Sequence, residues 1–465
     1  MITLIVLLCF FALLASSLFG KEKEFRFCSI IAGMLFFPHV IAFRNSPYIA
    51  PQTLFLYLPL FFEYFCDTRG FSKAFKNFPL KIPLIIFAIT SFITAASTAG
   101  NFFKNIYDMF RYVFDNYAFL FLAYWFGLHI PAKKILQALF IPIFIFCAFG
   151  FVEFLLNENM PYKYICSAFP IYQGIYNLST SISISQSWRS RICITTHHPN
   201  TLTPMLFCFI YLLFPQLKKF SLKFKFLFLI LCSLVFIAGS RTGMICLIGF
   251  FGLYFFKKFS PAIKIAIVVT ILLVGSYKVY SVINYFDSGN GSSISMRSQQ
   301  FLYTAVLFLQ KPITGNGTGY MGDNIFEVNA YGEKTLTNTS IGALESFLFR
   351  ILIDFGLIGL FSQLLIIISL LFFFHKKSHL YTGTSGFFIT ASCYAFIFLA
   401  GDSVGTLRFM FLTIGFCLGN CKAASLPEED ATMEIEDQKD LFKNPDYLES
   451  DSNNANNLSD ADESL

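Results

Sequence analysis

Long apolar runs separated by short polar stretches are the feature that most limits how this chain can fold. The 465-residue sequence is 55% hydrophobic and 19% aromatic, and only 13% of its residues are charged. A spanning helix needs about 20 apolar residues, and runs close to that length recur along the whole chain. A water-soluble protein of this size has too little interior for so much apolar surface. The sequence therefore predicts an all-α polytopic membrane protein with about 12 or 13 transmembrane helices.

The apolar runs divide the chain into membrane blocks and loops. The candidate spans are 2–19, 28–43, 50–66, 82–96, 113–130, 135–156, 202–214, 226–238, 244–256, 263–280, 347–374, 387–400 and 409–418. They predict N-terminal transmembrane helices over 1–156, a first long loop over 157–201, central helices over 202–280, a second long loop over 281–344, C-terminal helices over 345–424 and a tail over 425–465. From 427 to 465 the tail has thirteen acidic residues against two lysines, a composition that predicts disorder.

Basic residues lie in alternate loops, which predicts the orientation. The clusters are Lys21, Lys23 and Arg26; Arg69, Lys73, Lys76 and Lys81; Lys133 and Lys134; Lys218, Lys219, Lys223 and Lys225; Lys257 and Lys258; and Lys376 and Lys377. The positive-inside rule assigns these clusters and the C-terminal tail to the cytoplasm. Both long loops then face outward. No Walker motif or Gly-rich nucleotide loop is present, which argues against cytoplasmic nucleotide chemistry.

The stretch Gly-Ser-Arg-Thr-Gly at 239–243 separates two apolar runs and puts Ser240 and Arg241 at the outer membrane edge. A cation at that depth marks a functional site by default, because it needs an anionic partner or a wet cavity. An arginine that snorkels to carbonyls at a helix end explains the same pattern. Arg241 alone therefore leaves both interpretations open.

The two long outer loops contribute further polar residues. The first ends with Arg191, His197, His198 and Asn200. A Pro-Asn helix start with exposed basic residues accounts for the histidines taken singly. The second loop contains Arg297 and, further on, glycines at alternate positions from 315 to 319, which indicate a tight turn that approaches a ligand closely.

The next span begins after Glu345 and carries Arg350 and Asp354, which are four residues apart and predict an intramembrane ion pair. Arginines at one membrane level are suited to a phosphate or diphosphate, and a carboxylate beside them is suited to act as general base. No Asp-x-Asp pair is present to bind a metal. The pattern predicts glycosyl transfer from a sugar on a polyprenyl diphosphate, without metal or other cofactor.

These motifs, in this order, resemble the O-antigen ligase/polymerase superfamily over about 191–360. The resemblance rests on Arg191 through Asn200, the Gly-Ser-Arg-Thr-Gly stretch, Arg297 with the alternate glycines, and Glu345-Ser346 leading to Asp-Phe-Gly at 354–356. It implies a GT-C-like, metal-independent, inverting glycosyltransferase of the bacterial inner membrane, with its active site facing the periplasm. Arg191, Arg241 and Arg297 are expected to bind the substrate diphosphate, Glu345 to be catalytic, and His198, Asn200 and Ser240 to support the site.

Two branches of the superfamily and one unrelated class remain as alternatives. Ligases usually present a His-Asn pair eleven residues before the first Gly of Gly-x-x-Gly, and this chain has Glu345-Ser346 there. That departure favours a polymerase of undecaprenyl-diphosphate-linked repeat units over a ligase that transfers glycan to lipid A-core or a protein. A flippase or transporter is the further alternative, although no internal repeat is present. Expected partners are the lipid-linked donor and acceptor, membrane lipids and a chain-length regulator, and no nucleic acid.

Overall fold

The computed structural model of the chain is a helical bundle. It describes residues 2–37, 41, 44–45, 48–98, 101–169, 185–186, 189–190, 192–196, 199–217, 219–256, 293–318, 320, 326–328, 334–336, 346–400 and 404–425. The chain divides into two compact units, Met1–Asn420 and Cys421–Leu465, and in the second only the last turn of the final helix and two following residues are described.

Fifteen helices are found in these described ranges. They are α1 (Ile2–Phe19), α2 (Lys23–Phe36), α3 (Pro51–Cys66), α4 (Thr68–Lys76), α5 (Lys81–Ser97), α6 (Phe102–His129), α7 (Ala132–Leu156), α8 (Met160–Ala168), α9 (Pro199–Leu213), α10 (Leu222–Ile237), α11 (Arg241–Phe256), α12 (Ser293–Gln310), α13 (Phe347–Lys376), α14 (Tyr381–Ala400) and α15 (Val404–Ala423). A short 3-10 helix, Phe214–Gln216, follows α9.

Three very short antiparallel strand pairs lie between helices. They are β1 (Arg44–Asn45) with β2 (Tyr48–Ile49), β3 (Ser185–Gln186) with β4 (Arg189–Ser190), and β5 (Phe326–Val328) with β6 (Lys334–Leu336). In the longest pair Phe326 is opposite Leu336. The strands lie in the loops between helices, and the fold class is all-α, as predicted.

Nearly every candidate span coincides with a helix. The span predicted over 263–280 lies outside the described residues, and each of the others overlaps one of the helices above. Four described helices are long and apolar enough to cross a membrane, namely Ile2–Phe19, Ala132–Leu156, Phe347–Lys376 and Tyr381–Leu399. The bent pair α4 and α5, which meet at 82°, is a fifth candidate by the same test. Helix α12 lies within the second long loop and was not predicted.

The outer surface of the bundle is apolar along whole helix faces. On α5 the exposed side chains include Ile82, Ile85, Ile89 and Phe92, which follow the spacing of one helical face. Water-soluble monomers rarely expose apolar patches of this extent. The face is suited to contact lipid.

Helices α9 and α14 form an antiparallel pair in the centre of the bundle. Phe207 packs on Phe396 with ring centroids 6.0 Å apart, and Tyr211 stacks on Phe388 at 5.6 Å. As the residue number rises on α9 it falls on α14. The start of α9 and the end of α14 therefore lie at the same end of the bundle.

Helix α13 is broken at Gly356, which has φ +63° and ψ −158°. Four backbone groups lose their partners within the helix at this break, and the loop after α12 supplies a replacement for each. The amides of Leu357 and Ile358 donate to the carbonyls of Pro312 and Ile313 at 2.9 and 3.2 Å. In return the amides of residues 316 and 317 donate to the carbonyls of residues 353 and 354 at 2.8 and 3.0 Å. We call this four-bond exchange the splice.

The splice requires two backbones to touch. A Cβ atom at Gly315 would lie 2.5 Å from the carbonyl carbon of Asp354, and one at Gly356 would lie 2.5 Å from the carbonyl oxygen of Ile313. Gly315 does lie in a turn of close approach, but the group it approaches is the backbone of α13. A Cβ atom at Gly317 would meet the Thr98 side chain at 2.6 Å, and Gly319 lies outside the described residues. The Asn316 side chain ties the same turn to α12, because its Nδ2 donates to the Leu307 carbonyl at 3.0 Å.

We predict that Gly356→Ala destabilises the protein, because alanine strongly disfavours this backbone conformation, at about 1–3 kcal/mol, and its methyl group would collide with Ile313. The measurement is the apparent melting temperature of the purified full chain in detergent. Gly252→Ala is the matched control, since Gly252 is helical and a Cβ there meets nothing within 4 Å. Equal melting temperatures for the two variants would contradict the splice.

Candidate active site

The Gly-Ser-Arg-Thr-Gly stretch forms the turn between α10 and α11. Gly239 follows the C-cap residue of α10, Ala238, and adopts φ +66°. Ser240 then caps α11, since its Oγ accepts a hydrogen bond from the Gly243 amide at 3.2 Å. Arg241 is the first residue of α11 and its side chain is exposed. The sequence therefore folds so that a guanidinium is presented in the first turn of a capped helix.

Two of the predicted supporting residues meet at this turn. The Ser240 hydroxyl donates to Oδ1 of Asn200 at 3.4 Å, and both side chains are buried. Asn200 is the second residue of α9, so the contact joins the starts of α9 and α11. A Cβ atom at Gly243 would lie 2.5 Å from Cγ2 of Thr203, which shows how closely the two helices approach.

The start of α13 lies at the same end of the bundle as these two helix starts. Ser346 caps α13, with the Phe349 amide donating to its Oγ at 3.5 Å. The same hydroxyl donates to the carbonyl of Phe398, near the end of α14, at 2.6 Å. Because the end of α14 lies beside the start of α9, Ser346 and Asn200 share one end of the bundle.

Several predicted site residues fall outside what is described. Arg191, His197, His198 and Glu345 are among them. Arg297 lies in the helical backbone of α12, and its side chain is outside the described set. The structure thus brings together Asn200, Ser240 and the start of the helix that carries Arg241, while the predicted base and the other arginines stay predictions.

Glu153 is a site-adjacent residue that the sequence analysis missed. It lies near the end of α7, is 5% exposed, and accepts hydrogen bonds from the amides of Cys193 and Ile194 at 2.9 and 2.6 Å. The turn at 192–196 is buried throughout, and Ile194 has φ +57°, which is unusual for a β-branched residue. The sequence signal for Glu153 was a single acidic residue inside an apolar run. An ionisable side chain within a membrane span costs free energy and by default marks a functional site.

The buried turn is held from a second side as well. Thr195 Oγ1 donates to the Leu35 carbonyl in α2, and the Thr196 amide donates to the Cys193 carbonyl at 2.9 Å. Arg191 immediately precedes this turn and Asn200 follows it by four residues. Glu153 therefore anchors the segment that links the first long loop to α9.

The predicted ion pair on α13 is confirmed. Arg350 Nε lies 3.6 Å from Asp354 Oδ2, and the Asp354 side chain is almost fully buried. The pair precedes the break at Gly356. The described residues contain no cluster of three or more His, Cys, Asp or Glu side chains arranged to hold a metal ion.

Comparison with known proteins identifies the central part of the chain. Residues 226–364 match the family model described as O-antigen ligase. We call this matched segment the O-antigen ligase domain, after the description of the family model. The resemblance to the O-antigen ligase/polymerase superfamily is thereby confirmed, and the protein is a membrane glycosyltransferase-like enzyme of surface polysaccharide synthesis. A search of curated proteins found no match.

The O-antigen ligase domain begins within α10 and ends within α13. It contains the capped turn with Arg241, the splice and the Arg350–Asp354 pair. Glu153 in α7 and Asn200 in α9 precede this domain in the sequence.

We predict that Glu153→Gln lowers the melting temperature of the purified chain. Glutamine keeps one acceptor oxygen but turns an NH₂ group towards the second backbone amide, and a buried donor without an acceptor costs about 1–3 kcal/mol. Glu158→Gln is the matched control, because Glu158 is an exposed residue nearby that pairs with Lys163 at 2.8 Å. A variant Glu153→Gln that melts with the wild type would show that the two hydrogen bonds do not stabilise the turn.

Proposed function

We propose that this protein polymerises undecaprenyl-diphosphate-linked oligosaccharide repeat units at the periplasmic face of the bacterial inner membrane. The observation that carries the proposal is the exposed Arg241 in the first turn of a helix capped by Ser240. The amides and the positive end of the dipole at a helix start attract anions, and a guanidinium there adds paired donors for phosphate oxygens. The arrangement lies inside the O-antigen ligase domain.

The proposed reaction is an inverting transfer. An acceptor hydroxyl attacks the anomeric carbon of the donor sugar, the new glycosidic bond forms, and the bond to the lipid diphosphate breaks. Glu345 takes the hydroxyl proton, and the electron pair of the broken bond leaves with the diphosphate. Arg241, with Arg191 and Arg297, stabilises the charge on that leaving group without a metal.

A polymerase is favoured over a ligase by one sequence difference. Glu345-Ser346 stands where ligases present His-Asn, and Ser346 is used as the cap of α13. The ligase is the second candidate, since the matched family model is described as O-antigen ligase. Its acceptor would be lipid A-core, another glycolipid or a protein.

The proposed orientation follows the six basic clusters. It sets the starts of α9, α11 and α13 towards the periplasm and the acidic tail towards the cytoplasm. The partners we propose are a lipid-linked donor, a lipid-linked acceptor, membrane lipids and a chain-length regulator.

We predict that Arg241→Ala abolishes polymer extension while protein abundance stays normal, and that Arg241→Lys restores little, since a lysine lacks the paired donors of a guanidinium. Polymer length is measured on gels in a strain lacking the chromosomal copy. Arg69→Ala is the matched control, because Arg69 is also exposed in the first turn of a capped helix, α4. Normal polymer length with Arg241→Ala would overturn the proposed role of Arg241.

We predict that Arg191→Ala and Glu345→Ala give the same loss of extension, because the first removes a diphosphate ligand and the second removes the base. The null strain then separates the candidate functions. Single repeat units on the cell surface indicate a polymerase, and long polymer retained on the carrier lipid indicates a ligase. Reconstituted protein that extends purified lipid-linked repeats without an ion gradient would exclude a transporter.

A further inference from the structure

A cluster of charged and polar residues joins α3, α6 and α15. Its centre is Asp115 in α6, whose Oδ2 lies 3.1 Å from Nη2 of Arg408 in α15 and 3.4 Å from Nε of Arg111. The Tyr57 hydroxyl in α3 donates to Oδ1 at 2.8 Å. We call these four residues the Asp115 cluster. Two guanidiniums thus contact the one carboxylate of Asp115.

Close packing of α6 on α15 sets the position of Arg408. A Cβ atom at Gly415 would lie 2.2 Å from the Leu120 carbonyl oxygen, and one at Gly419 would lie 2.3 Å from that of Tyr124. Small residues at this spacing let two membrane helices approach at backbone distance. The residue numbers rise together along both helices, so α6 and α15 are parallel. This register brings the part of α15 that carries Arg408 beside Asp115 in α6.

Arg408 has donors to spare. Its side chain is 3% exposed, and its Nε and Nη1 atoms have no hydrogen-bond partner in the part of the chain that the structure describes. A guanidinium carries five N–H donors, and a single one is used on Asp115. A buried donor without an acceptor is costly. An anionic group with several oxygens would supply the acceptors that these donors lack.

Arg111 is the exposed edge of the cluster, with a side chain 31% exposed. It lies one helical turn from Asp115 towards the start of α6. With His129 at the inner boundary of a hydrocarbon layer about 30 Å thick, Asp115 lies roughly 9 Å below the outer boundary. A phosphate group of a lipid in the outer leaflet would meet Arg111 first and Arg408 next.

We propose that the Asp115 cluster is a second phosphate site, which binds the diphosphate of the lipid-linked acceptor. The inference rests on the proposed polymerase function, since a polymerase takes two lipid diphosphates whereas a ligase takes one. The residues of the cluster lie in α3, α6 and α15, all outside the matched residues 226–364. The donor diphosphate is assigned to Arg241, so each substrate has its own arginines.

The test counts lipids bound to the purified full chain by native mass spectrometry, with undecaprenyl diphosphate as the probe. We expect two bound molecules for the wild type, one for Arg408→Met, one for Arg241→Ala and none for the double variant. Arg408→Met should weaken the second binding step at least tenfold. Phosphatidylglycerol at equal concentration serves as competitor, because its phosphate has the same chemistry. If it displaces the Arg408-dependent molecule as well as unlabelled undecaprenyl diphosphate does, the acceptor assignment is overturned.

Two further variants keep the test independent of folding. Asp115→Asn/Arg408→Met removes both charges, so it should restore any stability lost in Arg408→Met without restoring the second molecule. Arg26→Met is the matched control, since Arg26 is an arginine only 12% exposed that pairs with the buried Glu63 at 3.0 Å elsewhere in the bundle. It should leave two molecules bound.

The two proposals fail separately. A wild type that binds one molecule, lost with Arg241→Ala and kept with Arg408→Met, overturns the second site and leaves the proposed function standing. Two molecules retained with Arg241→Ala would contradict the donor site and, if Arg408→Met lowers the count, would support the Asp115 cluster alone.

Discussion

The splice between α13 and the loop after α12 is the constraint on which the site depends. In a membrane every backbone donor and acceptor must be satisfied within the protein, and a break in a spanning helix frees groups that water cannot reach. Here the loop at 312–317 returns two carbonyls and two amides to the broken helix. Residues 312–317 of the second long loop are thereby joined to α13 by backbone hydrogen bonds. Helix α13 and the segment that follows α12 are held in one frame.

Some charged residues of the bundle pair with each other, and others keep hydrogen-bond donors for a ligand. Arg350 and Asp354 form a pair within one helix. Arg241 is exposed at a capped helix start, and Arg408 is buried with two nitrogens unused among the described residues. Such sites suit substrates whose reactive end is a diphosphate.

Hydropathy predicted the helices well and their ends less well. The span predicted from residue 113 belongs to a helix that begins at Phe102, since hydropathy rejects the stretch with Lys104, Asp108 and Arg111 although the helix runs through it. Arg111 pairs with Asp115, which also pairs with Arg408, 293 residues further along the chain. No local pattern contains that distant partner, so the sequence alone starts the span too late.

The site was predictable where its geometry is local and unpredictable where it depends on packing. Ser240 as a cap and Arg241 beside it follow from five consecutive residues. The hydrogen bonds from residues 193 and 194 to Glu153 join positions 40 and 41 apart, and Gly315 faces the backbone of α13 instead of a ligand. Both depend on how distant segments meet, which spacing along the chain does not encode.

The contact of α6 with α15 also sets an order of assembly. Helices enter the bilayer as they are synthesised, so Asp115 is inserted long before Arg408 exists. In that interval Arg111, one turn away on the same helix, is the available counter-charge. The parallel pairing of α6 and α15 therefore forms late, after both helices are inserted. A chain truncated before residue 404 would leave the polar side chains of α6 exposed to lipid.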